Sequence, residues 1–309
     1  MHSVLNGQSI LITGADGMLG RAFVGALADL APGSHVSAYP HGALDVTDAA
    51  AVAGRAELDP DLIIHCGGLS RADECERNPA RAFAVHLGGS QNIGRLALAT
   101  GARVLYPQSV FIFDGSELPV TEETVPNPQM VYGKAKLAAE QWLLSSVPGS
   151  LSIRMAGFFG GDEKDKNFVG QFAGTLRRLL DGRVHDCEVG DRRWQPTYTL
   201  DLARNAILLL ALERSGIYHM GSLGEASFFD VAGACVDELG LGDVIRLRQV
   251  STTEVEADES ARRPARMVTA NHRLNHEGLN RQRPWREALR EYLRRPHFDS
   301  LRRGHRATG

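Results

Sequence analysis

The segment Ser9-Ile10-Leu11-Ile12-Thr13-Gly14-Ala15-Asp16-Gly17-Met18-Leu19-Gly20 constrains the fold of this chain more than any other. Its first five residues are mostly apolar and β-branched and read as a buried strand. Glycines follow at 14, 17 and 20, and Leu19, Phe23, Leu27 and Leu30 mark one stripe of a helix. Strand, glycine turn and helix in that order suit a dinucleotide. The glycines permit a tight turn and a close backbone approach to a pyrophosphate, and the helix N-terminus faces its charge. Gly14, Asp16, Gly17, Met18 and Leu19 are therefore expected to bind a cofactor.

The alternation continues along the first half. Residues 35–39 read as a second strand, 48–58 as an alanine-rich helix and 61–65 as a third strand running into Cys66-Gly67-Gly68. A long helix is expected from about 79 to 99, stopped by Gly101. Strands at 103–106 and 151–154 flank a helix that carries Tyr132. This pattern predicts an α/β fold, a Rossmann-type doubly wound parallel sheet with its ligand at the carboxyl ends of the strands. The glycine turn, Cys66, Gly67, Gly68, Ser109 and the start of the Tyr132 helix all fall on that edge.

Tyr132 and Lys136 lie four apart in a segment of strong helix formers, so both project from one face. A neighbouring ammonium lowers a phenol's pKa, and a phenol so tuned can trade a proton with a substrate oxygen. Ser109, just past the fourth strand, either donates to the same oxygen or caps its own loop.

Composition narrows the class. A net charge of −3 gives no basic field for nucleic acid. The longest apolar stretch, residues 206–212, is too short to span a bilayer, and no signal segment is read. Cys66, Cys75, Cys187 and Cys235 are scattered without CxxC pairs, which suits thiols in a reducing cytoplasm and suggests no metal site. With 309 residues, a main domain and a smaller lobe are expected.

The GxxGxxG spacing suits short-chain dehydrogenase-type folds. The chain resembles the extended short-chain dehydrogenase/reductases, and within them the dTDP-4-dehydrorhamnose reductase branch, over residues 8–295. The resemblance rests on residues 13–20, Leu44-Asp45-Val46-Thr47-Asp48, residues 72–76, Phe113-Asp114-Gly115, Pro126-Asn127-Pro128, residues 132–140, Pro196-Thr197-Tyr198, Asp201-Leu202-Ala203, residues 216–219 and Arg263-Pro264. It implies NAD(P)H-dependent reduction of a nucleotide-linked 4-keto-6-deoxy sugar. In that reading Tyr132 is the general acid, Lys136 binds the nicotinamide ribose and Ser109 polarises the carbonyl. Asp45 and Val46 would lie beside the adenine. The segment 191–198, with Arg192 and Trp194, would line the sugar-nucleotide pocket, and Arg263 would meet its phosphates. The Arg192-Arg193 pair is equally read as a solvated face.

Several positions depart from the branch. Val110 stands for an Asp beside Ser109, Gly157 for a Trp expected to pack on the sugar, and His86 for an Asn. Val110, Phe111 and Gly157 are accordingly expected to shape the substrate site. The chain is also similar to the regulatory β subunit of methionine adenosyltransferase, an NADP-binding partner of another enzyme, and a sugar-nucleotide epimerase is a further alternative. The second strand ends in Tyr39-Pro40-His41-Gly42, without the carboxylate that NAD usually requires. His41 tolerates a 2′-phosphate or is a plain loop residue, so NADP(H) is expected, with NAD(H) possible.

The dinucleotide domain is expected over 1–156 and 194–221, and the substrate lobe over 157–193 and 222–293. Phe168, Phe172, Leu176, Leu179 and Leu180 form a core stripe in that lobe. Residues 294–309 are expected to be a mobile basic tail, and a homodimer is possible.

Overall fold

The computed structural model describes residues 4–252 and 260–303. Its main sheet holds β1 (Ser9–Thr13), β2 (His35–Tyr39), β3 (Leu62–His65), β4 (Arg103–Ser109), β5 (Leu151–Met155) and β10 (Gly216–Met220). They lie in the order β10-β5-β4-β3-β1-β2, all parallel. Ile12 of β1 lies opposite Ala38 of β2 and Ile64 of β3. The order reverses at β1, so a crevice opens between the carboxyl ends of β1 and β3. Ile10, Leu11 and Ile12, and Leu62, Ile63 and Ile64, are fully buried. Helices cover both faces, which is why these strands are continuous apolar runs rather than alternating ones.

One face is packed by α1 (Met18–Leu30) and α8 (Thr199–Ala211), through Leu19, Phe23, Leu27, Ala203 and Ile207. The other is packed by α5 (Gly89–Thr100) and α6 (Val131–Ser146), through Ile93, Leu96, Ala139 and Leu143. Asp48 caps α2 (Ala49–Ala53) by accepting from Ala50 and Ala51 N–H groups, and the turn continues as a 3₁₀ helix, Gly54–Leu58. The long helix expected over 79–99 is α4 (Pro79–Phe83), a π-helical turn at Ala84–Gly88 and then α5. It stops at Gly101, whose φ of 76° is the left-handed cap that glycine adopts freely.

The lobe is built on α7 (Phe168–Gly182), α9 (Phe228–Glu238) and the helix Trp285–Leu293. The expected stripe is inside: Phe172 and Leu176 are buried, with Phe168, Leu179 and Leu180 packed against them. Three two-stranded sheets frame it. They pair β6 (Phe158–Phe159) with β9 (Thr197–Tyr198), β7 (Asp186–Gly190) with β12 (Arg246–Val250), and β8 (Arg193–Trp194) with β11 (Ala226–Ser227).

Two boundaries expected from sequence change. The basic tail does not begin at 294. Residues 296–303 form a 3₁₀ turn and a short helix whose Phe298 and Leu301 are buried in the lobe core, because these two apolar side chains are spaced to meet one surface. Residues 304–309 lie outside the described residues. The second change concerns 267–279, assigned to the lobe from sequence. Met267 packs on Val110 and Val120, and Leu274 packs in the main-domain core. The reason is the open edge of β10, whose polar groups need partners. Arg273 Nη1 donates to the carbonyls of Ser215 (3.1 Å) and Ile217 (3.2 Å), Asn271 bonds Gly221 at N and O, and Glu122 accepts from His219 N–H (2.8 Å).

Candidate active site

Ser109, Tyr132 and Lys136 come together at the carboxyl end of β4. β4 ends at Ser109, and α6 begins one residue before Tyr132. Ser109 and Tyr132 share a hydrogen bond. Gly133 lets the two segments touch: a Cβ there would meet the Phe111 carbonyl oxygen at 2.2 Å. The helix start has no side-chain cap of its own. Glu76, on α3 (Ala72–Arg77), serves instead by accepting from the Val131 N–H at 2.6 Å.

Two buried connections hold this geometry. Gln108 is fully buried; its amide donates to the Lys136 carbonyl (2.9 Å), and its oxygen accepts from the Ser109 N–H (2.8 Å). One side chain thereby ties the serine to the lysine's turn. Glu140, one turn past Lys136, accepts from Ser152 (2.5 Å) and pairs with Arg154 (2.8 Å), locking α6 to β5.

The Lys136 ammonium donates to the Pro107 carbonyl (2.5 Å) and sits 3.9 Å from the centre of the Tyr106 ring. Burial pulls its pKa down to about 7, against the favourable charge of Glu140. Tyr132 departs from the sequence expectation. Burial pushes its phenol up to about 12, opposed by the Ser109 bond, and Lys136 is engaged elsewhere. The phenol is therefore held protonated, the state a proton donor needs. Its surroundings include a residue that spacing alone did not select. His86, in the π-helical turn, stands edge-on to the Tyr132 ring at 5.3 Å. It is buried, bonds the Leu69 backbone, and keeps Nε2 without a partner among the described residues. Its neutral state follows from burial, which lowers its pKa to about 3. The signal was its helical position facing Tyr132; the π turn that aims it has no signature in composition.

The crevice at the switch point fits a dinucleotide. A Cβ on Gly14 would meet the Cys66 carbonyl carbon and the Gly67 nitrogen at 2.8 Å, so the turns after β1 and β3 are in backbone contact. Gly14 has a φ of 62°, and a Cβ on Gly20 would strike the Gly14 oxygen at 2.3 Å. Gly17 starts α1 with no side-chain cap, leaving the first N–H groups beside Met18 and Leu19 for an anion. Behind them runs a buried chain: Gly67 N–H to Thr13 Oγ1 (3.0 Å), Thr13 to His65 Nδ1 (2.8 Å), His65 Nε2 to Ser90 (3.2 Å). Burial keeps His65 neutral, with a pKa lowered to about 3, and pushes the Cys66 thiol up to about 12, so it is inert. Gly68 lies against the His86 ring. Val46 is buried under Gly67 and Gly89, while Asp45 is exposed and bonded to Thr47. His41 is exposed at the same rim, its N–H 3.4 Å from Asp16 Oδ1.

The expected substrate residues divide. Phe111 stands 6.5 Å from Tyr132, edge-on, and lies beside the Ser109–Tyr132–Lys136 cluster. Val110 does not: it is buried among Ile112, Phe113, Val120 and Met267 and faces the core. Apolar burial explains why valine is tolerated there. Gly157 carries the Trp194 ring directly on it, since a Cβ would approach that ring at 2.6 Å. Trp194 is itself in the lobe core, edge-on to Phe168 and Phe228. Arg192 is half-buried, with its N–H donating to Thr252, and Arg193 pairs with Glu225. Arg263 is bound to Asp73 of α3 at 2.5 Å, and Ala261, two residues before it, packs against Phe111 and Tyr132. That ion pair holds the Asp73 carboxyl well below the usual carboxylate range. Arg263 therefore ties the segment beside Tyr132 to α3.

With this geometry in place, the chain compares as follows. A dTDP-4-dehydrorhamnose reductase from Mycolicibacterium smegmatis is 33% identical over 290 residues, covering 92% of this chain and 84% of the relative. A methionine adenosyltransferase 2 subunit beta from Xenopus tropicalis is 30% identical, covering 93% of this chain and 87% of the relative. The crystal structure of a dTDP-4-dehydrorhamnose reductase from Bacillus anthracis in complex with NADP superimposes with a TM-score of 0.83 at 25% identity, covering 93% of this chain and 98% of that one. Residues 8–297 match the RmlD substrate binding domain as a single unit, and the chain belongs to that family.

Proposed function

We propose that this chain is an NAD(P)H-dependent reductase of a nucleotide-linked 4-keto-6-deoxy sugar. The observation that carries the reading is the Ser109–Tyr132–Lys136 cluster, set at the end of β4 on the same sheet edge as the glycine turn after β1. The nicotinamide, when bound, supplies hydride to the carbonyl carbon. Tyr132 holds a proton on its phenol oxygen and delivers it to the developing alkoxide. Ser109 hydrogen-bonds the same oxygen, as it already does the phenol. Lys136, one turn along α6, meets the ribose and stabilises the phenolate left behind by turning its ammonium away from the Pro107 carbonyl. Gln108 fixes the spacing of the two. Ala261, Phe111 and His86 wall the phenol from water.

The test follows nicotinamide absorbance with dTDP-4-keto-6-deoxy sugars, wild type against Tyr132→Phe. Turnover is expected, with a loss of about 10²–10⁴ in the variant and an unchanged melting temperature. The second reading, a dinucleotide-binding regulatory subunit, draws on the 30% identity with the amphibian β subunit. It gains if wild type binds dinucleotide, turns over none of these sugars and co-purifies with another enzyme.

A further inference from the structure

The adenosine end of the crevice holds two opposed charges. β2 ends at Tyr39 without an acid, but the glycine turn folds back on it: the Ala15 N–H donates to the Tyr39 carbonyl at 3.0 Å. This swings Asp16 over the end of β2, where its Oδ1 lies 3.4 Å from the His41 N–H. Ala15, Asp16, Arg21, Val24, Ala38 and Pro40 line one cleft of about 290 Å³ between α1 and β2. The acid that the second strand lacks is thus supplied from the first turn. A carboxylate at this place accepts from a ribose 2′-hydroxyl and repels a 2′-phosphate.

Arg21 is the cation that could reverse this preference, and it is engaged. Its guanidinium reaches over to Glu163, in the 3₁₀ turn Asp162–Lys164 of the lobe, at 2.5 Å. Arg55, a second cation near β2, lies over the Tyr39 ring, which packs on the opposite face of the sheet, and Arg81, whose charge reaches Asp45, is paired with Glu74.

We propose that Asp16 reads the adenosine ribose as a 2′-hydroxyl, that Arg21 is the group a 2′-phosphate must recruit, and that Glu163 holds Arg21 back, so that this chain favours NADH over NADPH. The proposal rests on the reading that the crevice takes a nicotinamide dinucleotide. Both members of the Arg21–Glu163 pair are substantially exposed, so the pair is weak. NADPH therefore binds, less tightly, by taking Arg21 from Glu163.

Equilibrium binding of NADH and NADPH, followed by nicotinamide fluorescence at low salt, tests this without turnover. Wild type should bind NADH on the order of ten-fold more tightly. Asp16→Asn should shrink or invert that ratio. Glu163→Gln should tighten NADPH about two- to five-fold with NADH unchanged, and Arg21→Ala should weaken NADPH alone. Wild type favouring NADPH, or an Asp16→Asn ratio equal to that of wild type, would overturn the selector while leaving the reductase reading intact. Binding of neither dinucleotide would overturn both.

Discussion

Gly133 shows how closely the chemistry depends on single side chains. Its neighbours on either side differ in kind: Tyr132 is half-buried in the site, and Lys134 is exposed. A methyl group at 133 would drive into the Phe111 carbonyl at 2.2 Å and the Pro128 ring at 2.9 Å. Neither the backbone oxygen nor the proline can yield without moving α6 from the β4 end. Gly133→Ala is expected to lower stability by about 1–3 kcal/mol and turnover by more than ten-fold. Lys134→Ala, next to it, should change neither; melting curves and steady-state kinetics of the two variants decide. At this scale the Tyr132–Lys136 pair was legible, because period-four spacing is a property of the sequence. The direction of the Tyr132 shift was not, because desolvation depends on Phe111 and Ala261, which arrive from distant segments.

At the scale of elements, α6 is positioned by groups outside it. Gln108 from β4 and Glu76 from α3 supply hydrogen bonds to its backbone, and Arg154 and Ser152 from β5 bind its Glu140. Gln108→Leu removes the buried side chain that donates to the Lys136 carbonyl and accepts from the Ser109 N–H. A loss of about 1–3 kcal/mol is expected, with kcat reduced more than KM, since Ser109 loses its register with Tyr132. Glu140→Gln removes the partner of a buried guanidinium, at about 3–5 kcal/mol, measurable by urea unfolding. Strand and helix identities were legible at this scale from apolar runs and glycine stops. The π turn at 84–88, the packing of 267–279 on the edge of β10 and the burial of Phe298 were not. Each is decided by which surface a segment meets, not by its own pattern.

Across the whole molecule, buried bases set the pH range of stability. His65, His86 and His219 are buried, and desolvation lowers each to about 3. Between pH 3 and 6.5 the unfolded chain therefore binds more protons than the folded one. Stability is full above 6.5 and falls by about 1.4 kcal/mol per pH unit for each histidine as the pH drops. Asp165, raised to about 6 by burial, and Asp201, also raised by burial, work in the opposite direction above pH 3.8, while Asp73, held low by Arg263, works with the three histidines. Lys136, lowered to about 7 from 10.5, makes stability continue to rise with pH between those values. Tyr132 and Cys66, both raised to about 12, reverse the trend once their unfolded counterparts ionise near pH 9–10. The melting temperature is thus expected to be highest at about pH 7–9 and to fall steeply below 6. Calorimetry across pH 4–10 checks this; a plateau from 5 to 7 would count against neutral buried histidines.

The sequence by itself determined the Rossmann-type sheet and the glycine turn and brought forward Ser109, Tyr132 and Lys136 as candidates, because each is written in local spacing along one or two elements. It could not determine which charges face the cofactor or the substrate. Arg263 is bound to Asp73, Arg21 to Glu163 and Arg193 to Glu225, pairs separated by 190, 142 and 32 residues. Val110 faces the core and Asp16 the end of β2. Such pairings depend on where the chain returns in space, and that return is fixed only when the lobe and the sheet pack together.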